Sequence, residues 1–413
     1  MIAGRQDIAT KAAIAGFLAE PVLARLLDAL NGEGEETRIV GGAIRNLLLG
    51  VPHSDVDLAT TALPGETIRR GKAAGFKAVP TGIEHGTVTL VSKGQSFEVT
   101  TLRSDVETDG RRAKVMFGRD FAADALRRDF TINALGLTRD GTIHDYADGL
   151  ADLGERRVRF IGDARERIRE DYLRILRFFR FHAQYGTGAL DPEGLSACIA
   201  GRAGLAGLSR ERVRAETMKL LVAPGAAASL EAMMGAGLLM PVIGGVPHLS
   251  RFAAIAQESG EGVHPAFRLA ALAVAAREDA LRLRERLRLS NEEFDRIERI
   301  ALALERLGGR AGLPSIAALR HLAHVAGSDA VAGAIVLLNA SAGSEAGSAA
   351  QQLIGRLGRT PPFLPTGKDV IGLGVPPGPR VGQVLEAARH AWIETGCPAG
   401  WDEQMALVRA ATA

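Results

Sequence analysis

With only two cysteines among 413 residues, there is no material for a disulfide framework or a cysteine metal cluster. Cys198 and Cys397 lie far apart and have no Cys or His at ligand spacing. That excludes a zinc site by sequence and suits a reducing compartment. Long apolar runs are also missing. None reaches the length of a membrane span, and Glu20 interrupts the early Ala-rich segment, so no signal peptide is evident. The expected location is cytoplasmic, with no membrane partner. An excess of charge is lacking as well: the formal net charge is +2, so nucleic-acid binding would need a local basic face. No repeat of fixed period is present, and no low-complexity tract beyond a Gly/Ala/Ser stretch near residue 345.

What is there is 46% hydrophobic and 24% charged, the composition of a soluble globular protein with ample core. The chain is too long for one small domain, and about two to four units is the reasonable expectation. Arginine carries much of the positive charge and suits forked phosphate contacts better than lysine. Up to residue 160, short β-like runs alternate with short helices. The expected strands are Arg38–Val40, Val56–Ala59, Phe76–Pro80, Thr87–Val91 and Phe97–Leu102, with a helix opened by Pro64 and ended by Gly75. Arg139-Asp-Gly-Thr142 reads as a turn between two further extended segments. Beyond Asp163 the periodicity is helical, over Asp163–Ala183, Arg210–Val222, Pro265–Ala276, Ala280–Leu289 and Asn291–Leu304. Breaks near Ala223–Ala228 and Ser341–Ser348 read as boundaries. The expected fold is α+β: a small mixed-sheet head followed by an elongated all-helical array.

Asp55-Val-Asp57 is the densest chemical signal. Residues two apart on a strand share a face, so both carboxylates would enter one cleft while Val56 and Leu58 enter the core. Like charges that close are unfavourable without a cation between them, and hard oxygen ligands suit Mg2+. Upstream, Gly41-Gly42 turns the backbone and opens a helix from Ala43 to Leu49, whose free N–H groups suit phosphate. A lone Asp-x-Asp is commonly a solvated strand edge, and a lone Gly-Gly says less. Together, in this order, they describe nucleotidyl transfer.

Glu98, in Ser96-Phe-Glu-Val-Thr100, lies on the strand face opposite Phe97 and Val99, either as a third acid for the metal pair or as a plain solvent-facing residue. Arg127-Arg-Asp-Phe-Thr-Ile-Asn133 is either a surface ion-pair knot or a set of groups for triphosphate and ribose. On a continuous helix Glu170, Asp171, Arg174 and Arg177 would share about a third of the circumference. The spacing allows a plain surface salt bridge. Against that, Phe178 interrupts the polar sector and Arg180 falls on the apolar side, where it needs a partner. Arg277, Arg282, Arg284, Arg286 and Arg288 form either a solvated helix face or a phosphate track.

Five stretches carry a family resemblance: Gly41-Gly-Ala-Ile-Arg45 with Asp55-Val-Asp57; Glu98-Val-Thr-Thr-Leu-Arg103-Ser-Asp105 with Asp109-Gly-Arg111; Arg127–Asn133; Asp145-Tyr-Ala-Asp148-Gly-Leu-Ala-Asp152-Leu153; and Glu170-Asp-Tyr-Leu-Arg174-Ile-Leu-Arg177-Phe-Phe-Arg180. The chain resembles the class II tRNA nucleotidyltransferases, the CCA-adding enzymes of the polymerase-beta-like superfamily, in their bacterial form. The likeness runs from Thr37 to Leu221 and recurs at Leu364–Asp369. Two positions depart from the family pattern: Asn46 stands where the family usually has Asp, and Tyr146 where a proline is common.

The resemblance implies a catalytic head over 1–160, a helical neck over 161–225 and a tRNA-binding body and tail over 226–413. It implies addition of C, C and A to tRNA from CTP and ATP. Asp55 and Asp57 would hold Mg2+, with Glu98 as the third catalytic residue. Gly42 and Arg45 would hold triphosphate, and Arg128 and Asp129 would address phosphate or ribose. Asp171 and Arg174 would read the base, with Arg177 and Arg180 beside them. Arg103, Asp105, Asp109 and Arg111 would belong to a flexible loop that helps switch from C to A. A bacterial poly(A) polymerase shares the head and a similar neck motif, and a non-catalytic RNA-binding protein on this scaffold is the other alternative. The stretch Thr81–Val88 and the intact loop favour the CCA branch.

Overall fold

The computed structural model describes residues 2–52, 55–105, 115–258, 263–308, 315–342 and 361–412. Their contacts divide into two units, residues 1–203 and 204–413. The division falls inside the 161–225 segment expected as a neck.

The first unit opens with helices α1 (Ile2–Leu18) and α2 (Pro21–Leu30). Pro21 at the first turn of α2 supplies a fixed φ where no N–H partner is needed, and Leu23, Leu26, Leu27 and Leu30 form its buried stripe. Next come β1 (Thr37–Val40), α3 (Gly42–Leu49), β2 (Val56–Thr60), α4 (Pro64–Ala73), β3 (Lys77–Gly82), β4 (Thr87–Ser92) and β5 (Gln95–Thr101). A two-stranded pair, β6 (Arg103–Asp105) with β7 (Val115–Phe117), precedes α5 (Phe121–Leu126), β8 (Leu135–Leu137), β9 (Ile143–Asp145) and α6 (Gly149–Gly154). Helices α7 (Ala164–Glu170), α8 (Leu173–Tyr185) and α9 (Pro192–Ala200) complete the unit.

The main sheet has the order β3-β4-β5-β2-β1-β8-β9. Every contact in it is antiparallel except β2 with β5. All four residues of β1 are buried, because α3 and neighbouring strands surround it. Gly149 cannot be larger, since a Cβ there would lie 2.3 Å from the Thr131 carbonyl oxygen. Asp145 caps α6 by accepting from the Gly149 and Leu150 amides at 2.9 and 2.8 Å.

The segment expected as one helix, Asp163–Ala183, is two. Asp163 caps α7, accepting from the amides of Arg165 and Glu166 at 2.8 and 2.9 Å. The backbone then turns extended at Asp171, with φ −154° and ψ 106°. The Asp171 carboxylate accepts from the Leu173 amide at 3.1 Å, which starts α8. Side-chain competition for backbone N–H groups therefore wins over a periodicity that would have run on. An aromatic core fixes α8: Phe130 lies 4.9 Å from Phe160 and 5.0 Å from Phe181, and Phe160 stacks on Phe178 at 5.4 Å.

Every regular element described in the second unit is a helix, among them α10 (Arg210–Leu221), α11 (Ala226–Gly235), α12 (Leu239–Ile243), α13 (Leu249–Glu258), α14 (Pro265–Ala273), α15 (Arg277–Leu287), α16 (Asn291–Leu307), α17 (Ile316–Ala326) and α18 (Ser328–Ala342). Helix α14 is buried nearly all round, and its end is capped by buried Arg251, which donates to the carbonyls of Ala270, Ala271 and Val274 at 3.1, 2.7 and 2.6 Å. Three further helices, Gly367–Gly372, Pro379–Glu394 and Trp401–Thr412, close on Val370, Val384, Ala388, Met405 and Val408. Most of the expected boundary at Ser341–Ser348 lies outside the described residues. Among the described residues no single helix is long and apolar enough to cross a membrane, although α17 and α18, bent by 117°, pass that test together.

Candidate active site

Alternation within β2 and β5 builds the floor of a cleft. Leu58, Phe97 and Val99 enter the core, so Asp57 and Glu98 project from the other face. The parallel register places Asp57 directly beside Glu98. The pKa of Asp57 is raised above the ordinary 3.8, first by loss of water around it, then by the charge of Glu98 and, more weakly, Asp55; Arg128 opposes them. Strand β2 begins at Val56, so Asp55 stands just before the strand rather than within it.

Asp57 and Glu98, but not Asp55, line a cleft of about 510 Å³ together with Val40, Thr100, Asp124 and five arginines: Arg103, Arg127, Arg128, Arg167 and Arg174. Gly41 lets the wall close: its φ is +73°, and a Cβ there would lie 2.7 Å from a terminal nitrogen of Arg128. Gly42 then opens α3. Arg127 and Arg128 both donate to buried Asp124, Arg128 at 3.1 Å. Arg167 donates to the Arg127 and Arg128 carbonyls and, at 2.6 Å, to Glu170. Arg174 shares Glu170 at 2.5 Å and donates to the Arg167 carbonyl at 2.7 Å. Burial would raise the Glu170 pKa, but Arg174 and Arg167 outweigh it and hold the carboxyl below its ordinary value. The Nε atoms of Arg103 and Arg167 are buried without a hydrogen-bond partner among the described residues.

This wall matches a polyanion, and the acid pair matches a divalent cation. The Asp57 charge, disfavoured by burial and by Glu98, is relieved by a cation, which takes further oxygens from phosphate and water. No group of three His, Cys, Asp or Glu side chains among the described residues forms a closed metal site. An open two-carboxylate set is what a shared substrate cation needs.

Other expected nucleotide contacts are engaged away from the cleft. Buried Asp129 accepts from Arg177 at 2.5 and 2.7 Å, from the Phe130 amide at 2.9 Å and from Asn133 at 2.9 Å. Burial disfavours its charge, yet Arg177 and these hydrogen bonds prevail and its pKa lies below the ordinary value. Arg45 is buried against Asn133, Asn46 and Tyr185. Arg180 lies over the Phe181 ring at 4.2 Å, the partner its place on the apolar side required. Asp171 sits at the α7–α8 break, one residue past Glu170. Of the loop residues, Arg103 lines the cleft and Asp105 pairs through its backbone with Val115, while Asp109 and Arg111 lie outside the described residues.

Asp124, Arg167 and Tyr185 were not singled out from the sequence. The arginine density of Ala164–Glu170 was the available signal for Arg167, but its partners lie some forty positions upstream. In the second unit, Arg277 pairs with Glu298, Arg282 with Asp279, Arg286 with the Pro241 carbonyl, and Arg284 covers the Phe294 ring.

The family model described as the Poly A polymerase head domain matches residues 37–159, and that described as the probable RNA and SrmB-binding site of polymerase A matches 189–252. The mouse (Mus musculus) CCA tRNA nucleotidyltransferase 1, mitochondrial, is 35% identical over 392 residues, covering 91% of this chain and 87% of that protein. The CCA-adding enzyme of Limosilactobacillus fermentum is 34% identical, covering 91% and 92%. Matches to the Danio rerio and Homo sapiens proteins named like the mouse one span 61% and 44% of their lengths. A Bacillus stearothermophilus CCA-adding enzyme, solved in complex with CTP, superposes with a TM-score of 0.69 at 30% identity, covering 93% of this chain and 95% of that one. A head model shared with poly(A) polymerases, borne by a chain whose near-full-length relatives are CCA-adding enzymes, resolves the branch: the chain belongs to the CCA-adding family of tRNA nucleotidyltransferases.

Proposed function

We infer that the cleft carries out the family's reaction, the addition of C, C and A to the 3′ end of tRNA from CTP and ATP without a nucleic-acid template, with release of pyrophosphate. The observation that carries this reading is the Asp57–Glu98 pair facing a wall of five arginines in one cleft. Asp55 and Asp57 are the residues to hold Mg2+, which when bound supplies charge neutralisation to the triphosphate and the attacking oxygen. Glu98 orients the terminal 3′-hydroxyl of tRNA and accepts its proton. That oxygen attacks the α-phosphate in line as the bond to pyrophosphate breaks. Arg103, Arg127, Arg128 and Arg167 balance the phosphate charge, and the first-turn amides of α3, from Gly42, are further donors suited to it. Asp129 and Arg177 brace this wall from behind, with Arg45 and Arg180.

Arg174 donates to the base acceptor of C or A, and Asp171 accepts from the exocyclic amino group. Uracil and guanine present a carbonyl there instead, and an unpaired buried acceptor costs about 1–3 kcal/mol. The loop from Arg103 through Asp105, Asp109 and Arg111 assists the change from C to A. A cytoplasmic location fits two free, buried cysteines.

The deciding experiment supplies each triphosphate separately to a tRNA ending at its discriminator base. CTP alone extends it by two residues, ATP alone adds nothing, and both together add a single terminal A. Long A tracts from ATP alone would establish a poly(A) polymerase instead.

A further inference from the structure

Arg45 carries a buried positive charge whose direct partners are all neutral. Its Nε and Nη2 donate to Asn46 Oδ1 at 3.1 and 2.9 Å, Nη1 donates to Asn133 Oδ1, and Nη2 donates to the Tyr185 hydroxyl at 2.7 Å. The guanidinium also stacks on the Tyr185 ring, 3.9 Å from its centroid. Burial holds the Arg45 pKa below the ordinary arginine value. A guanidinium kept from water without a carboxylate is costly, so the ring face and hydroxyl of Tyr185 stand in for one.

Followed from Arg45, the hydrogen bonds close on themselves. Asn133 Nδ2 donates to Asp129 Oδ1 at 2.9 Å, and Asp129 Oδ2 takes Arg177 at 2.5 Å. Arg177 and Tyr185 both belong to α8, so the series Arg177–Asp129–Asn133–Arg45–Tyr185 begins and ends on one helix. Arg45 lies on the first turn of α3, its amide donating to the Gly41 carbonyl at 3.3 Å. Arg174, one turn before Arg177 on α8, lines the cleft.

We propose that Tyr185 is a positioning residue: it locks the first turn of α3 to α8, so that the phosphate cradle and the base-reading arginine keep one fixed spacing. This rests on the function inferred above. One nucleotide touches both parts, so loosening the lock misplaces its α-phosphate relative to the 3′-hydroxyl, and such errors lower the rate of the chemical step. C and A are joined through the same α-phosphate and the same 3′-hydroxyl, so both steps suffer alike.

The test compares wild type, Tyr185→Phe, and Tyr185→Phe with Asn46→Asp in single-turnover addition of C and of A, with thermal midpoints measured alongside. Wild-type addition establishes the underlying reaction, so its absence would refute the functional reading rather than the lock. Tyr185→Phe keeps the ring and removes the hydroxyl. We expect the maximal rate to fall about tenfold for both nucleotides, with tRNA KM and the preference for C over U unchanged. Asn46→Asp gives Arg45 a charged partner and restores most of that rate. Full activity in Tyr185→Phe overturns the proposal. So does a loss that follows the thermal midpoint and is not restored by Asn46→Asp.

Discussion

Asp57 and Glu98 stand side by side across the β2–β5 contact, the single parallel pairing in the described seven-stranded sheet. The Asp57 pKa is lifted, first by loss of water and then by the charge of Glu98. Such a pair is stable as two anions only when a cation or a facing arginine offsets it, and Arg128 does so in part.

Asp57→Ala should therefore lower nucleotide addition by a factor on the order of a thousand or more, while tRNA binding stays close to wild type. Filter binding and single-turnover extension check the two halves. Wild-type turnover of the variant at saturating magnesium would remove Asp57 from the cation site.

Base reading is tested at the α7–α8 break. Arg174→Ala and Asp171→Ala should each erode the preference for C over U and A over G by roughly ten- to two-hundredfold. Asp171→Asn retains an acceptor for the Leu173 amide and so separates the start of α8 from base recognition. Uniform, small losses across all four triphosphates would reduce these residues to a surface ion pair.

Asp129 links stability to pH. Its folded pKa lies below the ordinary 3.8, so in that window the native state binds fewer protons than the unfolded one. The stabilisation is present above the ordinary value and is lost as pH falls through the folded pKa. Urea unfolding followed from about pH 5 downward past 3.8 should show a steeper acid loss in wild type than in Asp129→Asn. At pH 7 the variant should be less stable by about 3 kcal/mol, because the buried Arg177–Asp129 ion pair is broken.

Arg251 tests the second unit independently. Arg251→Met keeps bulk but strips three carbonyls at the end of α14 of their donor, which should cost about 2–3 kcal/mol in unfolding free energy. Chemical denaturation reads it directly. An unchanged midpoint would mean that water replaces the guanidinium.

Much of the head was legible because its signals are local. Alternation about Leu58, Phe97 and Val99 located β2 and β5 and aimed Glu98 correctly, and the Arg139–Thr142 turn separates β8 from β9 as expected. The break at Asp171 was hidden because Asp-Tyr-Leu-Arg keeps helical spacing, while the deciding hydrogen bond to Leu173 is a side-chain choice. Tyr185 was invisible for a different reason: its partner Arg45 is brought to it only by tertiary packing. The leucine stripe of α2, at Leu23, Leu26, Leu27 and Leu30, is a local signal of the same kind as the strand alternation.

The parallel contact between β2 and β5 also bears on when the two carboxylates can meet. Parallel neighbours cannot be joined by a tight hairpin, so α4 and the β3–β4 hairpin must be laid down between them. Pairings between residues so distant along the chain form slowly, after the local elements. A chain still emerging from the ribosome thus carries Asp57 long before it carries its neighbour Glu98. The two carboxylates become neighbours only when β5 inserts between β4 and β2.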